Sequence, residues 1–365
     1  MRRDKEAPIA AEPRLAAKDF GRLMHMIKAG LRASLVALTV VATTVSIAAL
    51  QVSKQQNPPT NDKALAASQH VGLPEWPYPE GSPKSPPDDG QLHHVPGSTK
   101  AFTMTEIYAD ETADWFPETH PKAPAAVIHG KPGAYHSCGS CHLINGHAKQ
   151  EMQSLNAMPV TYLQQQLEDM RNGLRHSSVG APVVGNMIAT AKALSDADAK
   201  DALEYFHSIG PAKSIRVVET TIVPKTILGR HNLSFPDPSG ATEPIGKRIL
   251  EMPESYERTL LRDPTSGFVA YVPQGSLAKG EALVKTGGGG RTIACTTCHG
   301  ADLRGMGDTI PPVAGRSPSA TARQLYDFKT GARHGLNSAT MKPVVEKLTD
   351  EDIVDITAYM ASLPQ

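Results

Sequence analysis

The sequence predicts an all-α fold: two tandem helical domains, a long irregular connector between them, and a membrane helix at the N-terminus. Three observations predict it. Residues 33–53 form a stretch of 21 without a single charge. Two segments farther along repeat one another. The last part of each repeat places apolar residues at helical spacing behind a capping side chain.

The apolar stretch comes first. Residues 1–32 carry eight Lys/Arg against four Asp/Glu, and the uncharged run from Ala33 to Ser53 follows. At about 1.5 Å per residue, a helix of that length crosses a hydrocarbon layer of roughly 30 Å. The basic flank stays in the cytoplasm, so the remainder is exported. Residues 1–53 therefore read as a cytoplasmic segment with a transmembrane anchor at 33–53. The alternative is a signal peptide cleaved near Ala48 or Ala49, which would leave a soluble periplasmic chain.

Residues 54–125 are a proline-rich tether and lead-in, because proline removes backbone donors and breaks helices. A first compact domain spans 126–211, a turn-rich connector spans 212–277, and a second compact domain spans 278–365. The connector holds a possible short strand at IRVVET (215–220), and its length implies packing across one or both domains. Lys+Arg and Asp+Glu both number 37 in 365 residues. That balance argues against a nucleic-acid binder, which needs a basic excess.

The two domains are copies of one unit. LEDMRNGLRH (167–176) aligns without a gap on LYDFKTGARH (325–334), and Met187 and Met341 precede equivalent final segments. In those segments Ser195 and Thr349 are N-caps, with Asp198 and Asp352 three residues on. Ala199, Ala202, Leu203 and Phe206 then share one helical face, as do Ile353, Ile356, Thr357 and Met360. Another helix around Tyr162–Leu167 ends at Gly173, and its counterpart ends at Gly331.

Each unit carries Cys-x-x-Cys followed at once by His: Cys138, Cys141 and His142, then Cys295, Cys298 and His299. A redox dithiol or one four-thiolate zinc site would use the cysteines, but neither needs a histidine directly after the second one. Covalent attachment of haem does. Two thiolates add to the two vinyl groups, and the next side chain points its imidazole at the iron. The sequence thus calls for two haem c groups, with His142 and His299 as iron ligands. A soft thioether as sixth ligand raises the reduction potential and suits electron transfer. Met187 and Met341, 45 and 42 residues beyond the two histidines, are the candidates. His176 and His334 are competitors, each following Gly-x-Arg. Buried macrocycles would also supply the apolar bulk that a chain with 5% aromatic residues lacks.

On these motifs the chain resembles diheme class I c-type cytochromes of bacteria, over about 175 residues. The second unit is the closer match. After His299 it continues CHGADLRGMG and then IPPVAGR, where Pro311 or Pro312 corresponds to the family's proline whose carbonyl supports the proximal histidine. The first unit has no such proline after His142. The resemblance implies haem attachment at the periplasmic face of the membrane and single-electron transfer between redox partner proteins, without catalysis of its own. A cytochrome subunit of a periplasmic dehydrogenase or oxidase needs the same haems. A diheme peroxidase needs one open iron site, which two equivalent methionines argue against.

Overall fold

In the described chain, short helices lead into the first repeat: α1 at Met104–Ile107, α2 at Ala125–Ile128 and α3 at Gly139–His142. The computed structural model describes residues 72–79, 87–150, 152–180, 182–229 and 233–365, all within one unit that runs from Lys63 to Gln365. The uncharged stretch 33–53, read above as a membrane helix, lies outside these residues. Among the described residues no helix is long and apolar enough to cross a membrane.

Three longer helices complete the first repeat: α4 at Val160–Arg171, α5 at Pro182–Ala193 and α6 at Asp196–Ser208. The local signals act as expected. Ser195 accepts from the Asp198 backbone N–H at the start of α6. Gly173, at φ 71°, takes the left-handed turn after α4. The face formed by Ala199, Ala202, Leu203 and Phe206 is buried against Leu163, Leu167 and Met170 of α4.

The connector departs from the all-α expectation. It forms β1 (Ile215–Thr220), β2 (Ile222–Pro224), β3 (Thr226–Leu228), β4 (Ser234–Pro236), β5 (Thr242–Pro244) and β6 (Leu250–Pro253). Helix α7 (Tyr256–Leu260) and strand β7 (Phe268–Pro273) follow. Strand β7 pairs in parallel with β1 and antiparallel with β6, giving a three-stranded sheet, while β2–β5 and β3–β4 are two-stranded ribbons. The fold is therefore mixed, with two helical repeats bridged by a sheet-bearing connector. Local β-branched runs such as IRVVET favour strand, but a lasting sheet needs an apolar surface to lie on, and the last helix supplies it.

The second repeat contains α8 (Ser276–Thr286), α9 (Thr296–His299), α10 (Pro318–Thr330), a 3₁₀ turn at Ser338–Thr340, α11 (Lys342–Val345) and α12 (Asp350–Ser362). Helix α12 starts in a capping box in which Thr349 and Asp352 satisfy each other's backbone N–H. Every residue from Asp352 to Ala361 is buried. One side, with Ile353, Ile356 and Met360, faces the core of the repeat. The other, with Val354, Ala358 and Ala361, packs on Ile215, Phe268, Ala270 and Val272 of the sheet. Helices α8 and α12 touch backbone to side chain at Gly280. A Cβ there would sit 2.0 Å from the Asp355 carbonyl oxygen and 2.8 Å from Tyr359 Cβ. Gly280→Ala is expected to destabilise the protein by about 1–3 kcal/mol, the usual cost of overpacking, and thermal unfolding would measure it.

Candidate functional site

Each Cys-x-x-Cys-His motif folds as one helical turn. The His142 N–H donates to the Cys138 carbonyl and the His299 N–H to the Cys295 carbonyl, both at 2.9 Å. The backbone then leaves at positive φ in both copies, 51° at Leu143 and 85° at Gly300. Glycine takes that conformation freely, whereas leucine takes it at a cost of roughly 1–2 kcal/mol. Leu143 is buried, and its packing holds the turn.

Both imidazoles are fixed through Nδ1. His299 Nδ1 lies 2.8 Å from the Pro311 carbonyl oxygen, and His142 Nδ1 lies 3.0 Å from the Gln153 carbonyl oxygen. A carbonyl only accepts, so Nδ1 carries the proton and Nε2 keeps its lone pair free for a metal. Burial pushes His142 down to about 4, against the opposing pull of the Gln153 carbonyl. Burial lowers His299 too. Both rings are neutral at neutral pH. The resemblance implies this support at Pro311 or Pro312, and Pro311 is the one that provides it. Gln153 was not legible in the sequence, because a main-chain carbonyl does this work and any residue provides one.

The four cysteines form no disulfide, and they do not converge. Cys138 packs in the apolar cluster of the first repeat and Cys295 in that of the second. Burial pushes Cys138 up to about 12 and Cys295 up to about 11, which disfavours the thiolates that a zinc site requires. Among the described residues no three His, Cys, Asp or Glu side chains gather as a metal cage.

The structure brings Met187 into the cluster of Cys138 and Met341 into the cluster of Cys295, both partly buried. Their backbones differ. Met341 sits between the 3₁₀ turn and α11, capping both, whereas Met187 lies within α5 rather than in a loop. His176 and His334 sit elsewhere, where the repeats meet. Their rings bond to the Gly173 and Gly331 carbonyls. Their backbone N–H groups cross the seam to Ala332 and Leu174, both at 2.9 Å.

That seam is a near two-fold arrangement of equivalent residues. Arg175 donates to Gln166 at 3.1 Å and to Gln324 at 3.0 Å. Arg333 donates to Gln324 at 3.0 Å, to Gln166 at 2.6 Å and to the Tyr162 hydroxyl at 3.0 Å. Arg316, from the second repeat, reaches the Asn156 side chain at 3.0 Å and the Asn156 carbonyl at 2.9 Å. All of these hydrogen-bond partners are neutral, while the buried carboxylates of Asp327 and Asp169 act on Arg175 through their charge. Burial lowers Arg175 and Arg316 to about 10, and Nε of both Arg316 and Arg333 is buried without an acceptor. Buried cations with unmet donors are costly, so three guanidiniums, two of them with an orphaned Nε, fit a group that brings its own carboxylates. Haem, with two propionates, is such a group, and this fit was missed in the sequence.

The family model for cytochrome c matches residues 277–364, nearly the whole second repeat. Cytochrome c-554(548) of Halomonas halodenitrificans is 35% identical over 88 residues, which are 24% of this chain and 96% of that protein. The chain belongs to the cytochrome c family. The resemblance to diheme class I cytochromes is borne out by two further relatives. Cytochrome c4 of Stutzerimonas stutzeri is 31% identical over 146 residues, covering 34% of this chain and 65% of that one. A thiosulfate dehydrogenase electron acceptor of Stutzerimonas stutzeri is 33% identical over 105 residues, covering 28% of this chain and 47% of the other. This cytochrome binds haem c covalently, and its work is electron transfer. It spans about half to two thirds of these last two relatives.

Proposed function

We propose that the cytochrome carries two haem c groups, one in each of the domains 126–211 and 278–365, and passes single electrons between redox proteins in the periplasm. The observation that carries this reading is the pair of equivalent Cys-x-x-Cys-His turns, each with its imidazole Nδ1 tied to a main-chain carbonyl. The bound group supplies an iron that cycles between ferric and ferrous states. Cys138 and Cys141, and Cys295 and Cys298, form the thioethers. His142 and His299 would hold the irons through Nε2, and Met187 and Met341 would supply thioether sulfurs as their second protein ligands. Arg175 and Arg333 answer the propionate charges at the seam. The apolar clusters around Cys138 and Cys295 exclude water, which keeps the cost of reorganisation on electron transfer small.

A second reading makes the chain the electron-accepting partner of a periplasmic dehydrogenase. The similarity to a protein named for accepting electrons from thiosulfate dehydrogenase favours it, and it uses the same residues in the same roles. Haem counting tests the shared core of both. Pyridine haemochrome assay of the purified protein should give two haems per chain, and both should survive acid–acetone extraction. One haem per chain, or pigment that extracts, overturns the reading.

A further inference from the structure

The two motifs differ in what covers them. Over the first, the lead-in and the connector close together. Thr112 Oγ1 donates to the Val127 carbonyl at 2.9 Å, and a Cβ at Gly139 would lie 2.6 Å from Thr112 Oγ1. Tyr108 and Trp115 bond the Leu260 and Leu261 carbonyls at 2.8 and 2.9 Å. Asn145 reaches the Pro264 carbonyl at 2.6 Å. Ser140 and Leu143 are buried and Cys141 is partly so, whereas Thr297 and Cys298 of the second motif are exposed.

This cover delivers a cation. Arg262 holds φ 52°, unfavourable for a side chain of its size. Its guanidinium lies 4.4 Å from the centre of the Tyr108 ring and borders a small cavity with Gly139, Ser140 and Leu143. Nε and Nη1 are buried without an acceptor, and among the described residues no carboxylate pairs with it. The adjacent acid, Asp263, is taken by Arg258 at 2.7 Å. Lys149, another cation, feels the charge of Arg262 and is lowered in part by it. At the second motif the comparable cation, Arg304, is exposed and 3.8 Å from Asp302, where solvent and its partner quench it.

We propose that Arg262 raises the reduction potential of the first haem and makes it the higher-potential centre of the pair. This rests on the reading that both motifs carry haem. Uptake of an electron from an electrode removes one unit of positive charge at the iron. An uncompensated cation close by in a poorly polarisable setting favours the product of that step. At the seam, Arg175 and Arg333 each bridge both repeats through Gln166 and Gln324.

Spectroelectrochemical titration of the full-length holoprotein tests it. Two one-electron waves are expected, and Arg262→Gln should lower the upper wave alone, by at least a tenfold change in its equilibrium constant, about 59 mV for one electron. Arg262→Lys should hold the upper wave near its original place. In the wild type, raising the salt from 0.05 to 0.5 M should leave the separation unchanged, because a desolvated charge escapes screening. With two haems counted, an unmoved upper wave in Arg262→Gln, equal falls in both variants, or a separation that collapses in salt overturns the proposal. A haem count of one instead removes the functional reading beneath it.

Discussion

Replacing Cys138 and Cys141 together with alanine is expected to halve the covalent haem of the purified protein, with the remainder held at Cys295 and Cys298. The two attachment turns belong to separate apolar clusters, so loss of one leaves the other intact. The structural effect should be as large as the chemical one. The first cluster packs Cys138, Met187 and Tyr162 around a core of mostly small and aliphatic side chains, a thin core without a macrocycle. The buried cations of the seam would also lose counter-charge, leaving uncompensated charge in the interior. Thermal unfolding should therefore show the first repeat melting well before the second. Full haem retention in the double variant, or loss of both haems, would show that the motifs do not act separately.

Met187→Ala and Met341→Ala should each abolish the thioether-to-ferric-iron absorption of one haem and lower that haem's potential, since the soft sulfur favours ferrous iron. The vacated position should then bind carbon monoxide, which the wild-type reduced protein should resist. The two variants are not equally simple. Met341 stands at the start of α11, and its loss removes a ligand with little change to the helix. Met187 lies inside α5, so its ligation requires the helix itself to hold the sulfur in place. A spectrum untouched by Met187→Ala but altered by His176→Ala would assign the sixth position of the first haem to histidine. In the structure that ring is engaged with the Gly173 carbonyl.

Local chemistry was the most legible part of the sequence. The caps at Ser195 and Thr349 and the glycine stops at Gly173 and Gly331 follow from residues close together in the chain, and the family resemblance narrowed the support of His299 to Pro311 or Pro312. What the sequence concealed depends on distant partners. IRVVET reads as a possible strand, but its parallel partner at 268–273 lies some fifty residues away. The all-α expectation failed there. Val354, Ala358 and Ala361 fell off the face assigned to the core of α12, because the sheet that buries them was not foreseen. Gln153 acts through its backbone and so leaves no signature in residue type. Arg175 and Arg333 stood in the aligned repeat as matching residues, but only the packed seam puts them beside the same two glutamines.

Helix α12 has a consequence for how this chain can be divided. Cut at residue 278, the second repeat would keep its attachment motif and its inner packing, but the outer side of its last helix would be bare. Val354, Ala358 and Ala361, at 2%, 0% and 0% exposure in the intact fold, would form an apolar stripe in water, a surface prone to self-association. The repeat is thus not an interchangeable module. Its final helix has been shaped to the connector, and a shortened version would need polar residues at those three positions before it could stand alone.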